Sequence, residues 1–146
     1  MMDVTDIRTI ERLLSDFAWF ADHGDGDALA ALFLPDAVLS VGGMNLVGRE
    51  QISADCRRRA ANDSRKIRHI WSNLRITHDA ENEASTTIVQ MTFERIDASK
   101  PVQLRVNDVF DRFRKDANGW RFDRRIIQCE MTLAIPETTA GMLRNM

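Results

Sequence analysis

The stretch EASTTIVQMTFERIDASKPVQLRVNDVFDRFRKDANGW, residues 83–120, decides the fold. Two long strand-like runs in it are separated by turn residues at 97–101, and a second group of turn residues follows at 116–119. Connections this short are typical of antiparallel neighbours, because a parallel pair needs a long crossover. Working outward, similar runs flank this hairpin on both sides. The predicted strands span residues 66–77, 83–96, 102–114 and 119–134.

The residues before this meander have a helical pattern. Apolar side chains recur at three- and four-residue spacing and predict a helix over about 5–23, which Gly24 ends. Asp25 is placed to cap a second short helix, which Pro35 stops. The other predicted elements are strands at 37–41 and 44–47 and a helix over 49–61. Helices that precede a meander indicate an α+β fold, with N-terminal helices packed on a mostly antiparallel sheet.

Length and composition indicate a single globular domain. Residues 1–135 are predicted to form it, and the tail at 136–146 is expected to fray or to contact a partner. The longest apolar run, residues 28–35, is far shorter than the ~20 residues of a membrane helix, and the N-terminus has no signal-peptide pattern. We therefore expect a cytoplasmic protein with no membrane contact.

Charge and motif content argue against several classes of function. The net charge of −2 argues against nucleic-acid binding, although residues 57–68 contain a local basic cluster. Cys56 and Cys129 form no CxxC motif, and the three histidines form no HxH or HExxH arrangement, so neither a disulfide framework nor a metal site is expected. The sequence also lacks a glycine-rich phosphate loop and a nucleophile elbow. No cofactor is predicted.

Three polar side chains interrupt predicted apolar faces. Asp22 ends the apolar face of the first helix, His69 lies among apolar neighbours on a strand, and Arg125 begins an apolar stripe on the last strand. A buried charge needs a partner, so each residue has two possible roles. Asp22 and His69 either meet in a pocket or serve as a turn cap and a hydrogen-bonded core residue. Arg125 either binds an anion or pairs with an acid on a neighbouring strand, Asp108 or Asp111.

The second strand of the meander can turn either of two sets of residues inward. We favour the apolar set, which leaves Gln90 and Glu94 in solvent. The favoured set is Val89, Met91 and Phe93. Trp19, Trp71 and Met131 are predicted to give an adaptable apolar lining to a substrate pocket, although ordinary core packing explains them equally well.

Several short motifs carry a resemblance to a known family. They are DHGDGDAL at 22–29, LF at 32–33 followed by PDA at 35–37, GRE at 48–50, RH at 68–69 before SNLR at 72–75, and DRF at 111–113 ahead of GWRF at 119–122. In this order the sequence resembles the SnoaL-like branch of the nuclear-transport-factor-2-like superfamily, from Ile7 to about Leu133. The resemblance implies a cone-shaped roll whose strongly curved sheet encloses a pocket for a small apolar or aromatic molecule.

Within this superfamily, the sequence most resembles the lyase group that includes hexachlorocyclohexane dehydrochlorinase and bile-acid 7α-dehydratase. The resemblance implies a catalytic pair at Asp22 and His69 and a substrate-binding arginine at Arg125. It also places Phe17 in the pocket, where dehydratase-type members carry a tyrosine. The implied activity is a cofactor-free elimination, hydration or isomerisation, with His69 as general base and Asp22 fixing its tautomer.

Two other classes of protein remain as alternatives. Segments 65–75 and 111–114 also resemble the small, or beta, subunit of aromatic-ring-hydroxylating dioxygenases, a structural subunit that implies trimers or a hetero-oligomer. The other alternative is a protein that shelters a hydrophobic ligand without changing it. For an independent protein we expect a homodimer that uses the outer face of the sheet. The predicted contact residues are Val109, Phe113, Phe122 and Ile126.

Overall fold

Three helices and six strands make up residues 1–136, the part of the chain that the computed structural model describes. The elements are α1 (Val4–His23), α2 (Gly26–Ala31), β1 (Phe33–Val41), β2 (Met44–Val47), α3 (Gly48–Ala60), β3 (Lys66–Asp79), β4 (Glu83–Arg95), β5 (Val102–Asp116) and β6 (Gly119–Ile135). The tail predicted after residue 136 lies outside the described residues.

Local sequence fixes both ends of α1. Asp3 and Asp6 form a capping box, in which Asp3 Oδ1 accepts a hydrogen bond from the backbone N–H of Asp6 at 2.8 Å. Gly24 ends the helix in the left-handed conformation, with φ of 71°. A Cβ atom at Gly24 would lie 2.5 Å from Cβ of Ala60, so the glycine also allows α1 and α3 to approach closely. This approach sets the position of Asp22 at the end of α1.

The strands form one curved, unclosed sheet in the order β2-β1-β6-β5-β4-β3. The four long strands are antiparallel neighbours, which confirms the meander, while β1 joins β6 in parallel. The α+β fold with a mostly antiparallel sheet is therefore confirmed. One boundary prediction is wrong: Pro35 does not end a helix but lies in β1, at a register shift between Phe33 and Val38 where a missing N–H is tolerated.

Two bulges shape the centre of the sheet. The pairing of β5 with β6 leaves Asp123 and Glu130 as extra residues on β6. Each bulge bends its strand and reverses which residues face inward beyond it. The sheet thereby curves around the helices and presents a concave face to them.

An aromatic cluster forms the centre of the core between α1 and this concave face. The ring of Phe122 lies 4.9 Å from that of Phe33 and 4.7 Å from that of Phe113, measured between centroids. Phe17 of α1 meets Phe33 and Phe122 edge-on. Because these rings fill the space under α1, the room that remains beneath the sheet lies toward α3.

Three of the four predicted contact residues do not lie on the outer face of the sheet. Val109, Phe113 and Phe122 are 0% exposed within a single chain, and Ile126 is half-buried. Val109, Phe113 and Phe122 face the helices, whereas Ile126 lies across from the exposed Phe110 on the outer face, because the bulge at Asp123 reverses the alternation of β6 after Phe122. The apolar side chains that the sheet leaves exposed are different ones. They include Ile70, Phe110, Met131 and Leu133.

Within residues 1–136, none of the helices is both long and apolar enough to cross a membrane.

Candidate functional site

A cavity of about 720 Å³ lies between the concave face of the sheet, α1 and α3. One wall is apolar and is formed by side chains such as Phe17, Leu29, Leu39, Ile52, Ile67 and Ile127. The opposite wall is polar and comes from β4 and β5, while charged side chains of α3 and the strand ends border one end. The cavity therefore suits a molecule with an apolar body and a few polar groups.

Asp22 and His69 meet at the edge of this cavity. Oδ1 of Asp22 lies 2.6 Å from Nδ1 of His69, and the Asp22 carboxylate also accepts the backbone N–H of His69, at 3.1 Å to Oδ1 and 3.2 Å to Oδ2. Their side chains are 6% and 13% exposed, respectively. Two elements distant in sequence, the last turn of α1 and the start of β3, are thus joined by one carboxylate.

The hydrogen bonds determine which nitrogen of His69 is available. A carboxylate can only accept, so Nδ1 carries the proton and donates it to Asp22. In the neutral ring Nε2 then holds the free electron pair, and the ring itself lines the cavity. Phe17 packs edge-on against it, with 6.4 Å between ring centroids. In this tautomer, Nε2 is the nitrogen of His69 with the chemistry of a proton acceptor.

Arg125 does not line the cavity. Its side chain is 1% exposed, its Cζ lies 4.2 Å from the centroid of the Phe17 ring, and its Nη1 lies 3.3 Å from Oδ2 of Asp111. Burial raises the pKa of Asp111 to about 6, and the charge of Arg125 only partly opposes that effect. The structure thus contains the ion pair with Asp111 that the sequence left open, rather than an anion-binding arginine.

Three residues predicted to line the pocket lie elsewhere. Trp19 is 62% exposed and stacks on His23 outside the cavity. Trp71 packs against the core, and its Nε1 donates to Oγ of Ser15 at 3.1 Å. Met131 is 57% exposed on the outer face. Strand alternation from Arg125 would turn it inward, but the extra residue Glu130 reverses the alternation before Met131.

The predicted orientation of β4 is also wrong. Gln90 and Thr92 are only 2% exposed and line the cavity, and Glu94 borders its charged end. The apolar set of Val89, Met91 and Phe93 is half-buried on the outer face. The register could have shown this, since Ile88 pairs with Val109 and the same face of β5 carries the fully buried Phe113. Periodicity in one strand alone does not contain that information.

The polar wall is a row of mutually bonded side chains. Nδ2 of Asn107 donates to Oε1 of Gln90 and to Oγ1 of Thr92, both at 3.4 Å. Thr92 stands directly across from His69 in the β3–β4 pairing. Sequence reasoning did not select Asn107, because a polar residue between Val106 and Asp108 gives no signal of burial by itself. The wall places hydrogen-bonding groups beside the imidazole.

At the charged end, Glu94 holds two arginines. It accepts from Nε of Arg65 and, at 3.0 Å, from Nη1 of Arg105. Burial alone would raise the pKa of Glu94, but the hydrogen bonds and charges of these arginines lower it overall. Glu94 is therefore ionised at neutral pH, where it holds the two arginines in position and does not donate a proton. Among residues 1–136, no three His, Cys, Asp or Glu side chains are grouped as a metal site requires.

The fold is an α+β roll in which helices and the concave face of a curved sheet border a cavity. The family model described as a SnoaL-like domain matches residues 2–126, and the chain belongs to that family. No curated protein matches the sequence significantly.

Solved structures agree with this fold. A protein of Novosphingobium aromaticivorans DSM 12444, provisionally assigned as a scytalone dehydratase, is 26% identical, with a TM-score of 0.81 over 91% of this chain and 89% of that one. A second Novosphingobium aromaticivorans protein, provisionally assigned as an aromatic ring hydroxylase, is 21% identical, with a TM-score of 0.83 over 92% and 96%. A type 2 hexachlorocyclohexane dehydrochlorinase is 15% identical, with a TM-score of 0.80 over 91% and 90%.

Proposed function

We propose that the protein is a cofactor-free lyase, hydratase or isomerase that acts on a small apolar or aromatic substrate. The single observation that carries the proposal is the contact of Asp22 Oδ1 with His69 Nδ1 at 2.6 Å, on a ring that borders the cavity. His69 is the general base, and Asp22 is the residue that positions it. Solved structures of the same fold named as a dehydratase and a dehydrochlorinase support this class of reaction.

The reaction begins with proton transfer to Nε2 of His69. In an elimination, the electron pair of the broken C–H bond forms the new double bond, and the leaving group departs with the electrons of its own bond. In an isomerisation, the same nitrogen returns the proton to another carbon. The Asp22 carboxylate stabilises the imidazolium formed in between. Such positioned proton transfer accelerates a reaction by roughly 10²–10⁴-fold.

The composition of the cavity narrows the chemistry further. Phe17 lines the cavity close to His69, and the chain contains no tyrosine. A phenol is therefore not present to protonate a departing hydroxide. Departure of a group that leaves as a stable anion, or an isomerisation without a leaving group, suits the site better than dehydration.

Solvent-deuterium exchange tests this function without knowledge of the natural substrate. The purified protein is incubated in D₂O with a panel of small apolar carbonyl, halogenated and unsaturated compounds, and exchange or turnover is followed by NMR. Wild type should promote exchange or turnover with at least one compound, and His69→Ala should lose it by roughly 10²–10⁴-fold. His78→Ala is the matched control, because His78 lies on the same strand and is exposed. Full activity of His69→Ala would contradict the assignment of His69 as the general base.

A structural subunit is the second candidate, and the outer face of the sheet favours it. Ile70, Met131 and Leu133 are 49%, 57% and 47% exposed, and Ile70 and Met131 lie in one cross-strand row with Met91 and Val106. An apolar face of this kind suits a homodimer or assembly with a larger subunit. Solution mass of wild type and of Met131→Glu would show whether this face assembles. Recovery of a dioxygenase large subunit with the chain, and exchange that does not depend on His69, would favour the subunit.

A non-catalytic binding protein would give a different result in the same experiments. It would release an unaltered hydrophobic ligand on denaturation. Wild type, Asp22→Asn and His69→Ala would all show neither exchange nor turnover.

A further inference from the structure

The charged end of the cavity brings two arginines to one carboxylate. Arg65 lies in the turn before β3, and Arg105 lies on β5 directly across from Thr92. Both guanidinium groups donate to Glu94, each to a different oxygen. The side chains of Arg65 and Glu94 are 13% and 16% exposed, and that of Arg105 is 30% exposed. The two guanidinium groups therefore converge at a partly enclosed point that borders the cavity.

A third arginine reaches the same end from α3. Arg59 lies with its Nε 3.0 Å from Oδ2 of Asp55, but that carboxylate is shared with Arg58, which holds Oδ1 at 2.7 Å. The contact of Arg59 with Asp55 is an ion pair without hydrogen-bond geometry, so the buried Nε of Arg59 makes no hydrogen bond within the described residues. The cavity lining thus contains an arginine with a donor that the protein does not satisfy.

The charges at this end do not balance. Three arginines and two carboxylates line it, which leaves one excess positive charge. Each guanidinium has five N–H donors, far more than the two carboxylates can accept. An unpaired positive charge in a partly buried site is unfavourable, and an anionic group from a ligand would neutralise it.

We propose that Arg65, Arg105 and Arg59 bind a carboxylate of the substrate, so that the substrate is an apolar or aromatic carboxylic acid. A planar carboxylate matches the fork of a guanidinium group, and Glu94 holds two of these forks in position. The inference rests on the proposed function, since it concerns the same cavity. It also assigns to these arginines the anion binding that the sequence suggested for Arg125.

The sheet geometry sets the spacing between this group and the reacting carbon. Glu94 is two residues along β4 from Thr92, the cross-strand partner of His69, and Arg105 is two strands from His69 in the same row. At about 3.3 Å per residue along a strand and about 4.8 Å between strands, the backbones of Glu94 and Arg105 lie roughly 8–10 Å from that of His69. The carboxylate therefore lies at the far end of the substrate body and not on the carbon next to the proton that His69 removes.

Calorimetric titration with a matched pair of probes tests the proposal. The probes are 4-phenylbutanoate and 4-phenylbutanamide, which share an apolar body and differ in the charge of the end group. Wild type should bind the acid roughly tenfold or more tightly than the amide, because charge-assisted hydrogen bonds are about twice as strong as neutral ones. Added salt should reduce that preference.

Variants of the arginines test whether these residues cause the preference for the acid over the amide. Arg105→Met keeps the apolar stem of the side chain and should bind both probes equally. Arg59→Met is the second variant, for use if Arg105→Met does not fold. The Arg59 side chain is 34% exposed, and its replacement should weaken the preference for the acid. Arg8→Met is the matched control, since Arg8 is an exposed arginine of α1. Equal binding of the two probes by wild type, binding of neither, or an unchanged preference in Arg105→Met would overturn the proposal.

A separate variant distinguishes this inference from the proposed function. His69→Ala should keep the preference for the acid, because the imidazole is remote from the arginines. If His69→Ala abolishes deuterium exchange and keeps the preference, both proposals stand. If the preference is absent while exchange still depends on His69, the carboxylate site alone is wrong.

Discussion

Two acid–base pairs lie beside the ring of Phe17, and they differ in how well their polar atoms are satisfied. Both oxygens of Asp22 accept hydrogen bonds from His69, and the imidazole borders the cavity. In the other pair, Oδ1 of Asp111 and Nε of Arg125 are buried and have no hydrogen-bond partner within residues 1–136, and neither side chain is more than 1% exposed. Under the proposed function the first pair exchanges a proton with a bound molecule, while the second pair lies in the core, away from the cavity.

The largest effect that separates the two pairs is expected from Asp22→Asn. The amide can present either an oxygen or an NH₂ group to Nδ1, so it no longer enforces one tautomer and does not stabilise the imidazolium. We expect kcat to fall by roughly 10²–10⁴-fold with little change in KM. Steady-state kinetics measures this split, and Asp22→Glu should restore part of kcat. A lower thermal midpoint with unchanged kcat would instead make Asp22 a purely structural residue.

Arg125→Met should act on stability instead. The substitution leaves Asp111 buried without its cation, and breaking one partner of a buried pair costs about 3–5 kcal/mol of unfolding free energy. Urea denaturation of wild type and variant measures the difference. The double variant Arg125→Met/Asp111→Leu should recover most of the loss, because it removes both charges. A loss below about 1 kcal/mol for Arg125→Met would show that the pair is not charged in the native protein.

The pH dependence of stability should distinguish the pairs as well. Burial raises the pKa of Asp111 to about 6 from an ordinary value of 3.8. Its folded pKa is thus higher than its unfolded one, so its contribution to stability is fully present below pH 3.8 and is lost as the pH rises through about 6. The difference of about two pH units corresponds to roughly 3 kcal/mol.

Asp111→Asn isolates this contribution, since the other carboxylates titrate alike in both proteins. Relative to Asp111→Asn, wild type should lose about 2 kcal/mol of unfolding free energy between pH 4 and pH 7. Urea denaturation at several pH values measures it. A constant difference across that range would mean that Asp111 has the same pKa in the folded and unfolded chain.

The sequence predicted the architecture better than it predicted the inner surface. Alternating strands and short turns specify an antiparallel meander, and that part is confirmed. The predicted position of Met131 was wrong because of the bulge at Glu130, and the predicted face of β4 was wrong because that face is set by pairing with β5. Neither the bulge nor the pairing leaves a mark in the periodicity of one strand. Gln90 and Asn107 were missed for the same reason: each is paired across strands with the other.

For the site, the sequence could select candidate residues, but it could not show which of them face the cavity. An acid at the end of the apolar face of α1 and a histidine among apolar neighbours on β3 could be selected from the sequence. Whether Arg125 faces the cavity or the core depends on the neighbour that lies across from it, which is Asp111 on β5. Arg59 and Arg65 of the charged end belong to the basic cluster at 57–68, which looks like a solvated surface in the sequence, and Arg105 stands outside any basic cluster.

The smallest expected effect comes from Thr86→Val. This variant tests whether the Asp111–Arg125 pair lacks a hydrogen bond from the Thr86 hydroxyl. Thr86 lies directly across from Asp111, and its buried Oγ1 has no hydrogen-bond partner among the described residues. Valine has nearly the same shape and removes a hydroxyl that satisfies nothing, so the unfolding free energy should rise by about 1 kcal/mol. Thr92→Val is the matched control and should lose about 1 kcal/mol, because its hydroxyl accepts from Asn107. If urea denaturation shows that Thr86→Val is destabilised as much as Thr92→Val, the Thr86 hydroxyl donates to Asp111, and the contrast between the two pairs is weaker than the geometry indicates.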